Sequence, residues 1–353
     1  MIEPPPLRPG DTVATVTLSW GGAGALPHRY EAGKRQLEET FGVRVVEMPH
    51  ALRDPEWIHN NPKARADDLM QAFADPDIRG IVSAIGGEDS IRLIPWLDGE
   101  IIASNPKVFV GYSDTTVSHL ACYRAGLRTF YGPAILSGFA ENCGMFEYTI
   151  DAVRRTMFST APVGEIEPNR SGWTDEFLDW ADPENQKRPR ALNESTGWRW
   201  IQKSERDAAA NALVSGHLLG GCAEVLDQLR GTPVFPQPAD WEGAVLFLET
   251  SEDGAGPDYL THLLRSLVAM GVIERIAAVF FARPGGQIPA VRHAEYDTAL
   301  LAVIRDECGR DDIPIIANMD FGHTDPMTVL PYGARVTIDS GRETLRIDEA
   351  TCA

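Results

Sequence analysis

A serine at position 113 lies at a sharp corner of the chain, within the stretch VFVGYSDTTVSHLACYRAG at residues 108–126. The start of this stretch predicts a short strand and the remainder predicts a helix, while Gly111 permits the tight turn that raises a nucleophile above a sheet. The N–H groups at the helix start point to the same place, where the backbone N–H of Asp114 is a natural donor to an oxyanion. Ser113 is therefore a candidate nucleophile, with helix capping by Ser113 and Asp114 as the alternative interpretation.

A serine nucleophile needs a base, and the base needs a carboxylate that orients it. Two segments supply these groups where predicted strands end. VLFLETSEDG ends an apolar run on Glu249, and IPIIANMDFGHTDPM leaves a strand through a Gly-His turn at His323. Taken alone, Glu249 could pair with a buried arginine and His323 could be a turn residue. Together with Ser113, they fill the three roles of a catalytic triad.

A second glycine turn, VSAIGGEDS at residues 82–90, can expose backbone N–H groups toward a developing anion. Gly87 is interpreted as the second donor of the oxyanion hole, with Gly86 and Glu88 as substrate-binding neighbours. A tight strand-to-helix turn or a phosphate-binding loop would use the same glycine pair. The sequence contains no H-E-x-x-H motif and no His and Cys cluster at metal-ligand spacing, so no metal and no cofactor is expected.

The elements that must position these residues alternate along the chain. In the first half, short apolar runs such as TVATVTL alternate with helical patterns, which is typical of a parallel sheet covered by helices. After residue 210, strands and helices alternate again and the chain closes with GARVTID and TLRID, which favours a second, mixed α/β domain. We therefore expect a nucleophile domain at 1–165, a loop or linker at 166–210 and a domain with the acid and the base at 211–353.

The segment 166–210 is rich in Pro, Asn and Asp and lacks a helical or strand period. It also carries four tryptophans: Trp173, Trp180, Trp198 and Trp200. Because so much apolar surface is seldom left in solvent without a partner, a substrate-contacting loop is favoured over a plain flexible linker.

Composition limits the classes of function. The 353 residues suffice for two domains, and a net charge of −19 would repel both a nucleic-acid backbone and an anionic membrane. Five cysteines without a C-x-x-C pair are typical of reduced thiols. The start of the chain has no leader pattern, and its apolar runs are far shorter than the roughly 20 residues of a spanning helix. We expect a cytoplasmic protein without nucleic-acid or membrane partners.

The motifs GYSDTT, FLETSED and FGHTDP, in that order and with IGGEDS upstream, resemble the serine peptidase family of LD-carboxypeptidases and microcin C immunity proteins. The resemblance covers nearly the whole chain. It implies that Ser113, Glu249 and His323 form the triad. It also implies a flavodoxin-like N-terminal domain with the nucleophile, a C-terminal domain with the acid and base, an active site in the cleft between them, and a homodimer.

Two subclasses of this family differ in substrate. NESTGWRWI and LETSEDG resemble the immunity-type proteins, which cleave the amide joining an amino acid or peptide to a modified adenylate. The murein-recycling enzymes carry ED and a short turn where this chain has ETSED, and they lack a long tryptophan-bearing loop. The resemblance implies that Trp198 stacks on the base, with Trp200 as a nearby substitute. A tryptophan buried at the domain interface is the other interpretation.

These observations predict a serine-type peptidase or amidohydrolase that cleaves an amide of an aminoacyl or peptidyl nucleotide, as in microcin C detoxification. The alternative within the family is an LD-carboxypeptidase that releases D-alanine from a murein tetrapeptide. A third possibility is a binding module that holds a small molecule in the cleft without turnover. An α/β-hydrolase thioesterase or lipase shares the order of Ser, acid and His, but Thr115 replaces the last glycine of G-x-S-x-G.

Overall fold

The computed structural model describes residues 1–204 and 213–353. The strands of these ranges are β1 (Thr12–Val16), β2 (Arg44–Glu47), β3 (Ile78–Ser83), β4 (Val108–Gly111), β5 (Phe130–Tyr131), β6 (Gly164–Ile166), β7 (Arg199–Gln202), β8 (Val214–Cys222), β9 (Ala244–Glu249), β10 (Ala278–Ala282), β11 (Ile315–Met319), β12 (Leu330–Pro331), β13 (Arg335–Asp339) and β14 (Thr344–Ile347).

The α-helices of the same ranges are α1 (Gly22–Ala25), α2 (Pro27–Phe41), α3 (Pro55–Asn60), α4 (Pro62–Ala74), α5 (Gly99–Ser104), α6 (Thr116–Arg124), α7 (Glu147–Met157), α8 (Ala223–Leu229), α9 (Pro257–Ala269) and α10 (His293–Leu301). A π-helical segment, Ala302–Glu307, continues α10. None of the helices in the described parts of the chain combines the length and the apolar character needed to cross a membrane.

The first sheet has six strands in the order β2-β1-β3-β4-β5-β12. The first five are parallel, and β12 pairs antiparallel with β5. The order 2-1-3-4-5 is that of flavodoxin-like sheets, in which ligands bind beyond the carboxyl ends of the strands where the strand order reverses. β4 is buried along its whole length, as expected for a central strand covered on both faces.

The second sheet has eight strands in the order β6-β14-β13-β8-β9-β10-β11-β7. Its central strands β8 to β11 are parallel, and the outer strands on both sides pair antiparallel. All residues of β9 are buried, which explains why its sequence AVLFLE is apolar up to the terminal glutamate. The two sheets confirm the predicted mixed α/β class.

The two sheets do not correspond to two consecutive halves of the chain. β6 and β7 come before the C-terminal segment in sequence but lie at opposite edges of the second sheet, and β12 returns from that segment to the first sheet. The two halves are therefore tied together by strand pairing as well as by side-chain packing. The predicted boundary between residues 210 and 211 lies outside the described residues.

Candidate active site

Ser113 follows β4 directly and adopts a φ of 62°, a left-handed conformation that non-glycine residues rarely take. The carbonyl of Ser113 accepts a hydrogen bond of 2.7 Å from the Thr116 hydroxyl, which helps to hold the turn. Gly86 lies against this turn so closely that a Cβ there would come within 2.7 Å of the Ser113 Cβ. Glycine at 86 is therefore required for the close approach, and the strained corner is the geometry expected of a nucleophile turn.

His323 and Glu249 meet Ser113 from the second sheet. Nε2 of His323 lies 3.1 Å from Oγ of Ser113, and Nδ1 of His323 lies 2.5 Å from Oε2 of Glu249. Glu249 ends β9 and is completely buried. Gly322 has a φ of 82° and passes so close to Glu249 that a Cβ would contact its side chain at 2.7 Å. The structure thus brings the three predicted residues into one hydrogen-bonded chain.

The carboxylates around His323 control its protonation. Burial lowers the pKa of the imidazole, but the charges and hydrogen bonds of Glu249 and Glu252 outweigh this effect and raise that pKa well above its ordinary value of 6.5. Glu252 Oε2 lies 2.9 Å from His323 Nε2, on the same nitrogen that faces Ser113. The hydrogen bond to His323 lowers the pKa of Glu252 to about 2. His323 is therefore held between two carboxylates.

The backbone N–H groups near Ser113 differ in whether they already donate a hydrogen bond to another protein group. The N–H of Ser113 itself donates to Oη of Tyr131 at 3.0 Å, so it is occupied. The amide nitrogen of Asp114 lies 3.4 Å from the position that a Cβ on Gly86 would take. The Asp114 carboxylate is buried, which raises its pKa, and accepts the N–H of Ser90 at 2.8 Å. Gly86, Gly87, Glu88 and Asp114 all line one cavity with Ser113.

That cavity has a volume of about 1430 Å³ and opens beyond the carboxyl ends of β3, β4, β8 and β9. Its walls come from both sheets and from the stretch between them. Large aromatic side chains contribute to the lining, among them Trp20, Phe177 and Trp180. The guanidinium of Arg29 stacks over the Trp180 ring at 4.2 Å from its centroid. The cavity therefore combines a candidate nucleophile with a broad aromatic surface.

Trp198 and Trp200 do not line this cavity. The Trp198 indole N–H donates to Oδ2 of Asp320 at 2.7 Å, and Trp200 sits on β7 opposite Ile316. Both side chains pack against the core beside the second sheet. Trp198 and Trp200 thus attach the connecting stretch to the second sheet, whereas Trp180 of the same stretch lines the cavity.

The charged side chains that line the cavity are mostly acidic. Of the described residues that line it, twelve carry carboxylates and two are arginines. Arg190 pairs with Glu141 and, at 2.6 Å, with Asp325. Arg29 donates to the carbonyl of Leu136 at 2.7 Å, so both arginines are already held by protein groups. Among the described residues, no three or more His, Cys, Asp or Glu side chains are arranged to hold a metal ion.

Two residues that contact the proposed triad were not among the predicted site residues. Tyr131 donates a hydrogen bond of 2.5 Å from Oη to Oε1 of Glu249, and Glu252 contacts His323. Tyr131 lies on a two-residue strand with no motif around it, so nothing in its sequence neighbourhood marks it. Glu252 stands in the ETSED segment, where its position three residues after Glu249 was the available signal.

Comparison with known proteins identifies the family. Residues 13–132 match the LD-carboxypeptidase N-terminal domain, and residues 215–338 match the LD-carboxypeptidase C-terminal domain. YocD of Bacillus subtilis strain 168 is 31% identical over 350 residues, which cover 97% of each chain.

Two solved structures share the whole fold. An MccF-like protein from Streptococcus pneumoniae in complex with AMP has a TM-score of 0.85 and 30% identity, covering 96% of this chain and 99% of that one. The microcin C7 self-immunity protein MccF in complex with aspartyl sulfamoyl adenosine has a TM-score of 0.85 and 25% identity, with complete coverage of both chains. With both domain matches and YocD, these likenesses show that the chain belongs to the LD-carboxypeptidase family.

Proposed function

We propose that this protein is a serine hydrolase that cleaves an amide bond of an aminoacyl or peptidyl nucleotide. The observation that carries the proposal is the hydrogen-bonded chain from Ser113 through His323 to the buried Glu249, which opens into a large aromatic cavity. A serine whose hydroxyl faces an imidazole that is itself oriented by a carboxylate is an activated nucleophile.

In the proposed reaction, Nε2 of His323 accepts the proton of Ser113 as Oγ attacks the carbonyl carbon of the substrate. The N–H groups of Asp114 and Gly87 stabilise the oxyanion. The C–N bond then breaks, and His323 gives its proton to the departing nitrogen. Water attacks the resulting ester with His323 again as the base, and the carboxylic acid leaves while Ser113 regains its proton. Glu249 holds the imidazole tautomer and stabilises the imidazolium in both steps.

The aromatic wall of the cavity, formed by Trp20, Phe177 and Trp180, supports the nucleotide part of the proposal. Trp180 presents an indole ring in the same cavity as Ser113, and aromatic stacking on a base is worth about 1 to 3 kcal/mol. The volume of about 1430 Å³ exceeds that of most small-ligand sites, for which about 300 to 1,000 Å³ is usual, and leaves room for an acyl group beside a nucleoside. Two similar proteins of known structure were solved with AMP and with aspartyl sulfamoyl adenosine, respectively.

The alternative within the family is release of D-alanine from a murein tetrapeptide, which is favoured by the LD-carboxypeptidase domain matches. This reaction uses the same acyl-enzyme chemistry but offers no base to the aromatic wall. A binding module without turnover is the third possibility, and it would lack an activated serine.

A direct comparison of substrates tests the proposal. The purified chain is incubated with an aminoacyl sulfamoyl adenosine and with a murein tetrapeptide, and the released products are quantified. We expect faster hydrolysis of the nucleotide substrate, with Ser113→Ala losing about 10⁴-fold or more in kcat. Preference for the tetrapeptide would favour the carboxypeptidase function. The binding module is tested by a serine-reactive fluorophosphonate, which would leave a protein without an activated serine unlabelled.

A further inference from the structure

One nitrogen of His323 has two oxygen partners. Nε2 lies 3.1 Å from Oγ of Ser113 and 2.9 Å from Oε2 of Glu252. The Ser113 hydroxyl can donate to this nitrogen, but a carboxylate can only accept from it. The contact with Glu252 therefore requires a proton on Nε2, whereas general-base catalysis requires a free lone pair there. The two contacts belong to different protonation states of the ring.

The rest of the ring environment reinforces the protonated state. Nδ1 of His323 faces Oε2 of the buried Glu249 at 2.5 Å, so that nitrogen also carries a proton. Among the described residues, the ring also faces the nucleophile turn, where the ring of Tyr112 lies 4.9 Å away, and the uncharged glycine turn at Gly285. The Asp325 carboxylate lines the same cavity. With a carboxylate on each nitrogen, the imidazolium is the favoured form of the ring.

Glu252 differs from Glu249 in its freedom to move. The side chain of Glu249 is completely buried, whereas that of Glu252 is 72% exposed to solvent. Glu252 lies on the turn between β9 and α9 and lines the cavity beside Ser251 and Asp253. An exposed side chain on a turn can leave its partner at low cost in packing energy, and an arriving substrate occupies the same cavity.

We propose that Glu252 is a positioning residue that holds His323 in its protonated form while the cavity is empty and must leave Nε2 before His323 can accept the proton of Ser113. This inference rests on the proposed serine-hydrolase function. While Glu252 contacts Nε2, His323 is a poor base. His323 becomes a base again when substrate displaces the Glu252 carboxylate. The pKa of His323, which both carboxylates raise, is in agreement with this role.

The protonation of His323 can be measured without turnover. In a Ser113→Ala background, the imidazole nitrogen shifts of His323 are followed by NMR across pH, with and without Glu252→Gln. An opposite charge at this distance shifts a pKa by about 1 to 3 units, and the exposure of Glu252 favours the lower end. We expect Glu252→Gln to lower the titration midpoint by about one unit. An unchanged midpoint would overturn the proposal, whatever the reaction of the protein is.

A matched control separates the contact from the general charge of the cavity. Asp253→Asn removes the same charge from the next residue of the turn, which lines the same cavity. We expect a smaller shift of the His323 midpoint than with Glu252→Gln. Equal shifts from the two variants would show that His323 responds only to the overall negative charge of the cavity. That result would overturn the proposal.

The rate at which Ser113 is labelled gives a kinetic test of the same proposal. The rate of inactivation by diisopropyl fluorophosphate is measured against pH in the protein with and without Glu252→Gln. Well below both midpoints, Glu252→Gln should react about 10-fold faster, which is the effect of a one-unit fall in the pKa of His323. If the unaltered protein does not react at any pH, the serine-hydrolase function fails, while the NMR titration still decides the role of Glu252.

Discussion

Tyr131 and Glu249 share a hydrogen bond of 2.5 Å between the two sheets, and the same tyrosine hydroxyl accepts the N–H of Ser113 at 3.0 Å. Tyr131 lies on β5 of the first sheet, whereas Glu249 ends β9 of the second. Both side chains are completely buried. The phenol therefore links the nucleophile turn to the acid of the proposed triad and fixes their relative position.

Tyr131→Phe should lower kcat and also the melting temperature. The change leaves Oε1 of Glu249 and the N–H of Ser113 without this partner, and an unsatisfied buried group costs about 1 to 3 kcal/mol. We expect kcat to fall about 10-fold or more because the carboxylate that orients His323 is no longer fixed. The measurement is steady-state kinetics with thermal unfolding in parallel.

Tyr332→Phe is the matched control for that variant. Tyr332 is equally buried in the same aromatic cluster and donates to the carbonyl of Gly220 at 2.8 Å, outside the proposed triad. We expect a comparable fall in melting temperature with a smaller effect on kcat. Similar kcat losses in both variants would indicate that Tyr131 acts through stability alone.

The positions of Ser113, Glu249 and His323 could be predicted because each follows an apolar run that must be a buried strand. The carboxyl ends of the parallel strands β9 and β11 bring Glu249 and His323 to one edge of the second sheet, whereas the approach of Ser113 from the first sheet is a contact between sheets. The alternation of short apolar runs and helical patterns likewise predicted a parallel sheet in the first half and a mixed α/β arrangement in the second. These inferences depend on local periodicity, which the sequence displays directly.

The contacts of Tyr131 and the choice among the tryptophans could not be predicted. Tyr131 acts across two sheets, and its reach depends on packing that no local pattern encodes. Trp180 and Trp198 stand in the same irregular segment with similar neighbours. What separates them is a buried partner from elsewhere in the chain, namely Asp320, which binds the Trp198 indole. The return of β12 to the first sheet is similarly a long-range pairing of two residues.

Glu249→Gln should fold normally and slow turnover strongly. The amide can no longer stabilise the imidazolium or select the tautomer in which Nε2 is free, and the equivalent change in a serine protease triad costs about 10⁴-fold in kcat. Circular dichroism checks the fold, and kcat is measured on the preferred substrate. An unchanged kcat would contradict the role of Glu249 as the orienting acid.

The pH dependence of turnover follows from the raised pKa of His323. A base must be unprotonated, so kcat/KM should fall as pH drops through that pKa. Because Glu249 and Glu252 raise the pKa, the midpoint of the acid limb should lie above 6.5, the ordinary value. Turnover is therefore retained above the raised pKa and lost below it. A profile of kcat/KM against pH with a midpoint at or below 6.5 would contradict this prediction.

Trp180→Ala should reduce activity on a nucleotide substrate selectively. The loss of one stacked indole costs about 1 to 3 kcal/mol, which corresponds to about 5- to 150-fold in kcat/KM. A murein tetrapeptide has no base to stack and should be hydrolysed as before. Trp198→Ala serves as the comparison, because its indole binds Asp320 outside the cavity and its loss should lower the melting temperature and affect both substrates alike. Equal losses on both substrates in Trp180→Ala would contradict the stacking role.

The charge of the cavity predicts which acyl groups are accepted. Carboxylates such as Glu224 and Asp253 line it, and Arg190 is paired with Glu141 and Asp325. A negatively charged acyl group therefore meets no unengaged arginine among the described residues of the lining. Two like charges about 4 Å apart repel by about 1 kcal/mol in water and about 4 kcal/mol near a protein surface. A lysyl sulfamoyl adenosine should therefore exceed its aspartyl counterpart about 10-fold or more in kcat/KM.

Two further measurements identify the origin of that preference. Raising the ionic strength should lower the ratio of kcat/KM for the lysyl compound to kcat/KM for the aspartyl compound, because salt screens partly exposed charges. Asp253→Lys should lower it as well, since this change replaces an exposed carboxylate of the lining by a cation. A protein that prefers the aspartyl compound at low salt would show that the carboxylates of the lining do not face the acyl group, and the acyl group would then have to bind at another wall of the cavity.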